Sequence, residues 1–426
     1  MNLKKNFTRE NLEQLQLERL QATLNRCYHN VAFYREAFDR MNIDLESIDS
    51  LSKLSILPFT TRDTLIKNYP YRMFAVPLRE VVRLHCSFSC GEPVVVGYTR
   101  NDIDHWTKIS MHILEQAGVN RDDVVQICFD YGIYGGGLGF HYGAEAIGAS
   151  VIPGSDLDPA KQLTIMRDYR STVVLCTPSF ALRLIEVMRK KGISVASLNL
   201  RCGIFTGEPL SPAVKLKIGE ELKIKVFETY GPFEIPGPRI AAECDKNEGL
   251  HIFEDQFIPE VIDPATGTPL PPGREGELVI TTIAKEAFPL IRYRTGDVTR
   301  LNFSPCGCGG IFVRMESVRK RTDDMLFVNG VTFFPSQIGK ILTRIEETKP
   351  NFQIIIRREG AQDIVEIMVE VSENIFFDEM KKFNRLKEEI EENIYRTLGI
   401  KTHVKLVEKR SFSFENLPQV MDLRER

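Results

Sequence analysis

Long apolar runs are missing from this 426-residue sequence: no stretch approaches the roughly 20 consecutive apolar residues of a membrane-spanning helix. The opening MNLKKNFTRENLEQLQLERL has two early lysines and then a charge every few residues, so it lacks the apolar centre of a secretory signal. Strong charge of one sign is also missing. A net charge of −3 gives no electrostatic reason to expect nucleic acid or an anionic membrane as a partner. Nor is cysteine used as in a disulfide scaffold, because the nine cysteines are an odd number, scattered singly apart from Cys306-Gly307-Cys308. That distribution fits a reducing compartment, so the cytoplasm is the expected location. No segment repeats at a short period.

What is present is the composition of a globular protein, 43% hydrophobic and 27% charged, in a chain too long for one ordinary domain. Residues 10–40 carry Leu12, Leu15, Leu17, Leu20, Leu24, Val31 and Phe33 near helical spacing, so helices open the chain. From Val124 to Ile204, short β-rich runs alternate with amphipathic stretches. VVQICF (124–129), SVIPG (150–154), STVVLC (171–176) and RCGIF (201–205) read as strands, with helices around 143–149, 159–168 and 179–191. Buried strands alternating with helices specify a parallel, doubly wound sheet.

The texture changes after about Leu250. HIFEDQFIPEVID, PATGTPLPPGREG and ELVITTI read as strands around a Pro/Gly-rich turn, an antiparallel pattern. After Asp324, MLFVNGVTFF is a strand pair about Asn329-Gly330, the dipeptide that a type I′ hairpin favours. A helix (335–346), strands (352–357 and 364–371), a charged helix (377–397) and a strand (402–407) complete a βαββαβ order. The expected fold class is therefore α/β. A large N-terminal domain, residues 1–322, has mostly parallel sheets and helices plus an antiparallel β subdomain at about 244–318, and a small α+β C-terminal domain covers residues 323–426.

Cys244 and His251 bracket the segment CDKNEGLH, and Cys306 and Cys308 occupy a later Pro/Gly loop. Three thiolates and one imidazole satisfy a tetrahedral Zn²⁺. With all four ligands supplied by protein, no position remains for substrate, so the role would be to close a loop. The plainer alternative is four unrelated residues, since cysteine is common in reduced cores.

Six segments, in chain order, resemble the phenylacetate–CoA ligase branch of the adenylate-forming enzymes. They are YGIYGGGLGFHYGAEAIGASVIP (131–153), TPSFALRL (177–184), FTGEPLSP (205–212), ETYGPFE (228–234), YRTGD (293–297) and RTDDMLFVNGVTFFPSQI (321–338). The resemblance implies an AMP-forming acid–CoA ligase that uses ATP, Mg²⁺ and coenzyme A, takes an aryl or arylacetic acid, and forms a homodimer. It implies that Asp297 takes both ribose hydroxyls, a task suited to the four acceptor positions of a carboxylate. Tyr230, beside Gly231, would stack on adenine, Gly207, Glu208 and Pro209 would present backbone to its edge, and Arg321 would reach the nucleotide. As plain structural residues, Asp297 would be a turn aspartate and Tyr230 a packed strand end. Glu234 would coordinate Mg²⁺, a hard oxygen ligand for a hard cation. The acid pocket would be lined by Tyr131, Tyr134, Gly135, Gly136 and Phe140, the glycines leaving room for a planar ring. His141 would act near the thioester step or hold the first turn of a helix. Asp323 would be the hinge of a mobile C-terminal domain that turns between half-reactions. Gly330 would keep the CoA tunnel clear, although the hairpin by itself also asks for glycine.

The resemblance breaks around the phosphates. In the family the phosphate loop reads like Ser-Ser-Gly-Thr-Thr-Gly-Lys-Pro. Here RLHCSFSCGEPVVVGYT (83–99) offers Ser87, Ser89 and Gly91 as phosphate contacts, but it is one residue shorter and puts Glu92 at the lysine position. Such loops work by aiming backbone N–H groups and a cation at phosphates. Two like charges about 4 Å apart at an effective dielectric of about 20 cost roughly 4 kcal/mol. Phe233 stands at a usual Ser/Thr position and Lys320 replaces the glycine before Arg321. No lysine follows Lys409, so Asn416 or a neighbour stands where the family ending carries its adenylation lysine. Adenylation is accordingly expected to be weak. The alternative is a degenerate paralogue that binds nucleotide, acyl-adenylate or CoA without efficient adenylation.

Overall fold

The computed structural model describes residues 8–87, 93–133, 135–155, 157–235, 239–345, 347–360, 362–371, 380–407 and 418–424. They fall into two compact units that part between Thr322 and Asp323. Each has its own hydrophobic core.

The larger unit opens with helices Arg9–Asn30 and Ala32–Arg40. Thr8 caps the first by accepting from the Asn11 amide, and Leu12, Leu20, Leu24 and Cys27 bury one face. Five parallel strands follow, side by side in the order Ser150–Pro153, Val124–Ile127, Val173–Cys176, Cys202–Phe205 and Lys225–Tyr230. The central pair, Val173–Cys176 and Cys202–Phe205, is buried at every residue, as strands covered on both faces must be. Helices Pro159–Asp168, Pro178–Lys191 and Pro212–Leu222 connect them, each with proline in its first turn and a side-chain oxygen at its N-cap. Beyond Tyr230 the sheet continues antiparallel through Ala241–Glu243, Leu250–Ile252, Arg314–Met315, Tyr293–Asn302, Glu275–Thr282 and Phe257–Ile262. Among the described residues no helix is long and apolar enough to cross a membrane.

One expectation needs correction. The helix placed around 143–149 runs from Leu138 to Ile147, so glycines 139 and 143 are helical. A Cβ on Gly143 would lie 2.7 Å from the Met111 amide nitrogen. Gly143 is there because this helix crosses helix Arg100–Gln116 at close range, a contact that outweighs glycine's poor helix propensity.

In the smaller unit, strands Leu326–Val328 and Val331–Phe333 pair about Asn329 (φ 49°) and Gly330 (φ 87°), the two left-handed residues of a type I′ turn. Helix Pro335–Leu342 follows. A four-stranded sheet then has the order His403–Val407, Gln362–Val371, Thr348–Glu359, Val420–Asp422, with helix Met380–Leu398 between its second and third strands in the chain. Thr348–Glu359 is longer than its sequence pattern indicates because it continues past an irregularity between Thr348 and Phe352. Val420–Asp422 was not anticipated. It adds in parallel to the edge, and Arg424 behind it bonds Asp422, Asp363 and the Phe327 carbonyl.

Candidate active site and a cysteine–histidine cluster

The nucleotide-motif residues converge where the parallel part of the sheet gives way to the antiparallel part. Tyr230 ends strand Lys225–Tyr230, and its hydroxyl donates to Asp297 Oδ2 at 2.6 Å. Gly296, with φ 75°, turns the backbone just before Asp297. Arg321 lies opposite Asp297 in the strand register, pairs with Asp297 Oδ1, and donates from Nη2 to the Thr295 carbonyl at 2.9 Å. Both oxygens of the buried Asp297 carboxylate therefore already face a protein donor. Burial, and then the Asp297 charge, hold the Tyr230 phenol well above its usual range, so it remains a hydrogen-bond donor at neutral pH.

Glu234 is buried and ion-paired to Arg62, at the start of helix Arg62–Lys67. Sequence reasoning missed Arg62, because a lone arginine after a threonine cap carries no motif. Gly207 has φ 83°, which favours glycine at that turn. The Glu208 carboxylate reaches back to helix Pro178–Lys191, accepting from the Ser179 amide (2.9 Å) and hydroxyl (2.6 Å) at the helix N-terminus. Its side chain thereby fixes the Gly207–Pro209 turn. Ser87 ends strand Arg83–Ser87 and is buried. Ser89, Gly91, Glu92, Tyr134 and Asn416 lie outside the described residues.

Residues 131–133 and 135–140 pack against a column of aromatic rings. Phe140 is fully buried and stacks on Phe129. The Tyr131 hydroxyl lies 3.3 Å from His141 Nδ1, and His141 Nε2 lies 3.2 Å from Glu145 Oε1. Gly135 (φ 61°) faces His85, and a Cβ on Gly137 would meet the Tyr131 ring at 2.8 Å. Space beside these glycines is thus taken by the protein's own rings, whereas a Cβ on Gly136 would meet nothing closer than 3.9 Å. The Gly136 carbonyl accepts from Arg239 Nη2 at 3.0 Å. Arg239 is fully buried and was not singled out from the sequence.

Cys244, His251, Cys306 and Cys308 come together so that one donor atom from each lies within 4.8 Å of all the others. The Cys244 and Cys306 sulfurs are 3.7 Å apart, and Cys308 Sγ is 3.5 Å from His251 Nε2. Zn–S and Zn–N bonds of about 2.3 and 2.0 Å in a tetrahedron put ligand atoms about 3.8 Å (S to S) and 3.5 Å (S to N) apart. The cluster therefore fits the ion. His251 also hydrogen-bonds the Phe312 backbone, the second contact that orients a ligating imidazole.

With this geometry established, comparison with known proteins is informative. Residues 95–284 match the family of AMP-binding enzymes, and residues 330–424 match the AMP-binding enzyme C-terminal domain. A phenylacetate–coenzyme A ligase of Thermus thermophilus is 43% identical over 78% of this chain and 76% of its own length. One from Escherichia coli is 40% identical over 84% of this chain and 82% of its own. Among solved structures, 2-hydroxyisobutyryl-CoA ligase in complex with 2-HIB-AMP and CoA aligns with a TM-score of 0.93 at 25% identity, covering 98% of this chain and 91% of that one. The fold is that of adenylate-forming ligases, and the chain belongs to the phenylacetate–CoA ligase branch of that superfamily.

Proposed function

We propose that this chain is an AMP-forming acid–CoA ligase acting on an aryl or arylacetic acid. In the first half-reaction a carboxylate oxygen of the acid attacks the α-phosphorus of ATP, and the bond to the departing pyrophosphate breaks. In the second, the CoA sulfur attacks the acyl carbon, the bond to AMP breaks, and the thiol proton leaves to solvent. The observation that carries this reading is the buried Asp297 carboxylate held by Tyr230 and Arg321 at the end of the last parallel strand. A carboxylate has about four acceptor positions, so its two oxygens can take two ribose hydroxyls beside those donors.

In this reading Tyr230 and Gly231 face adenine, with the backbone of Gly207, Glu208 and Pro209 at its edge. Glu234 would hold Mg²⁺, which supplies positive charge to the phosphates. Arg62, paired with Glu234, brings a second cation to that place in a chain whose phosphate loop carries Glu92. Tyr131, Tyr134, Gly135, Gly136 and Phe140 line the acid pocket, with His141 beside it. Asp323 serves as the hinge and Gly330 lines the CoA passage. Cys244, His251, Cys306 and Cys308 hold a structural Zn²⁺, and the enzyme works as a cytoplasmic homodimer. High identity to named ligases over most of the chain supports turnover rather than binding alone.

Carboxylate-dependent exchange between ATP and pyrophosphate, followed by detection of the CoA thioester, tests the proposal over a panel of aryl acids. Exchange and thioester are expected with at least one acid. Neither product with any of them would remove the ligase reading. Glu92→Lys is expected to raise exchange, and no gain would place the slow step outside the loop's charge.

A further inference from the structure

The two loops that carry the cysteine–histidine cluster are tied together by one side chain. Arg314 is buried on the short strand Arg314–Met315, in register with His251 on one side and Asn302 on the other. Its Nη1 donates to the Glu248 carbonyl at 2.8 Å and to Glu248 Oε2 at 3.0 Å, on the loop between Cys244 and His251. Its Nη2 donates to the carbonyls of Ser304 at 2.9 Å and Pro305 at 3.4 Å, on the loop that runs into Cys306. Glu248 Oε2 also accepts from the Gly307 amide at 3.4 Å, a second tie between the same loops. Gly249 has φ 106°, and a Cβ there would lie 3.0 Å from the Met315 carbonyl oxygen, so glycine lets the first loop rest on the strand.

The loops are also shaped for sulfur ligands. Each of the three cysteine sulfurs accepts the backbone amide two residues on: Cys244 from Lys246, Cys306 from Cys308, and Cys308 from Gly310 at 3.3 Å. Amide donors of this kind stabilise a thiolate, the form that binds metal. A Cβ on Gly310 would meet Cys308 Sγ at 3.2 Å and His251 Cε1 at 3.3 Å, so the chain passes close over the cluster where it has no side chain. These contacts set each sulfur within its own loop, whereas Arg314 sets one loop against the other. A guanidinium suits that task. Its planar fork directs separate N–H groups to separate acceptors, while an ammonium is a point charge on a flexible stem.

We propose that Arg314 is the positioning residue of the cysteine–histidine site, the clamp that holds its two ligand loops at metal-binding distance and so slows release of the ion. This rests on the zinc reading given above and deepens it by naming the side chain on which retention of the metal depends.

The test uses the full chain purified without chelator, and it reads the metal directly. Transfer of zinc to excess EDTA, followed by elemental analysis of the protein against time well below the melting temperature, gives the release rate. Arg314→Met keeps an apolar stem and loses every donor. It is expected to release zinc at least about tenfold faster, the scale on which contacts behind a metal ligand act. Arg314→Lys, with one donor group, should fall between. Melting curves with and without zinc separate positioning from general bracing: zinc should raise the melting temperature less in Arg314→Met than in the wild type. Equal release rates, or equal increments in melting temperature, would overturn the proposal and leave the zinc reading in place. A wild type that carries no zinc would remove both. If Arg314→Met does not fold, the lysine variant decides, and release from it at the wild-type rate would overturn the proposal.

Discussion

The nucleotide site and the cysteine–histidine cluster are neighbours on one sheet, and they are built on opposite plans. In the nucleotide site each carboxylate faces a protein donor: Asp297 faces Tyr230 and Arg321, Glu234 faces Arg62, and Glu208 faces Ser179. In the cluster four metal-ligating side chains, three thiols and an imidazole, face each other, with sulfur near sulfur and sulfur near imidazole nitrogen. The first arrangement is satisfied within the protein, so on the reading proposed above a ligand can enter it and leave again. The second, on the reading proposed above, would be completed by a cation and would leave no surplus position. On that reading one is a site for turnover and the other a fastening.

The strongest way to break this contrast is Asp297→Ala. It removes the carboxylate proposed to take the ribose and bonded by Tyr230 and Arg321, so kcat/KM for ATP is expected to fall by roughly 100- to 1000-fold. A loss below about threefold in steady-state kinetics would show that the ribose is held elsewhere. Next in size is Cys306→Ser. Elemental analysis of protein purified without chelator should find one zinc per wild-type chain and less than half of that in the variant. The variant's melting temperature should drop by about 10 °C, since a closed metal site contributes directly to folding. No zinc in the wild type, or equal melting, would make the cluster four ordinary residues.

The smallest effect concerns Glu228, on the strand that ends in Tyr230 and next to the strand leading to Cys244. Burial first, and then the Glu243 carboxylate, raise its pKa from 4.5 to about 7, against the Ser317 hydroxyl and the Lys215 and Arg319 charges. The folded state therefore holds this proton more tightly than the unfolded chain. Stability from the group is full below pH 4.5 and is lost as pH rises through about 7. Glu228→Gln should remove that loss, so its melting temperature relative to wild type should rise by a few degrees between pH 5 and pH 8. A difference that does not change with pH would mean that Glu228 is charged throughout.

Much of this was legible in the sequence, and for identifiable reasons. STVVLC and RCGIF are continuous β-branched and apolar runs between amphipathic helices, a pattern with few other solutions. Asn329-Gly330 announces its hairpin through the two left-handed residues that the turn requires. The cysteine–histidine set was visible because four soft donors bracket a β segment. Arg62 and Arg239 were not visible, because a buried arginine is spelled like an exposed one and only tertiary packing tells them apart. Gly135 and Gly136 were noticed as room for a planar ring, but Gly139 was not, nor was what these glycines touch inside the protein. Gly139 admits a guanidinium and an indole, and Gly135 admits an imidazole, so the run makes room chiefly for the protein's own side chains. Strand Val420–Asp422 was hidden because three residues are too few to show alternation.

That short strand bears on how the protein is made. It pairs with Thr348–Glu359, and Arg424 just after it ties Asp363 to the Phe327 carbonyl. Nearly the last described residues of the smaller unit thus complete its four-stranded sheet and, through Arg424, bond its opening hairpin at the Phe327 carbonyl. During synthesis the larger unit, complete at Thr322, can fold while the ribosome is still translating. The smaller unit must wait until residue 424 has emerged, so the edge of strand Thr348–Glu359 stays unprotected on the nascent chain until then.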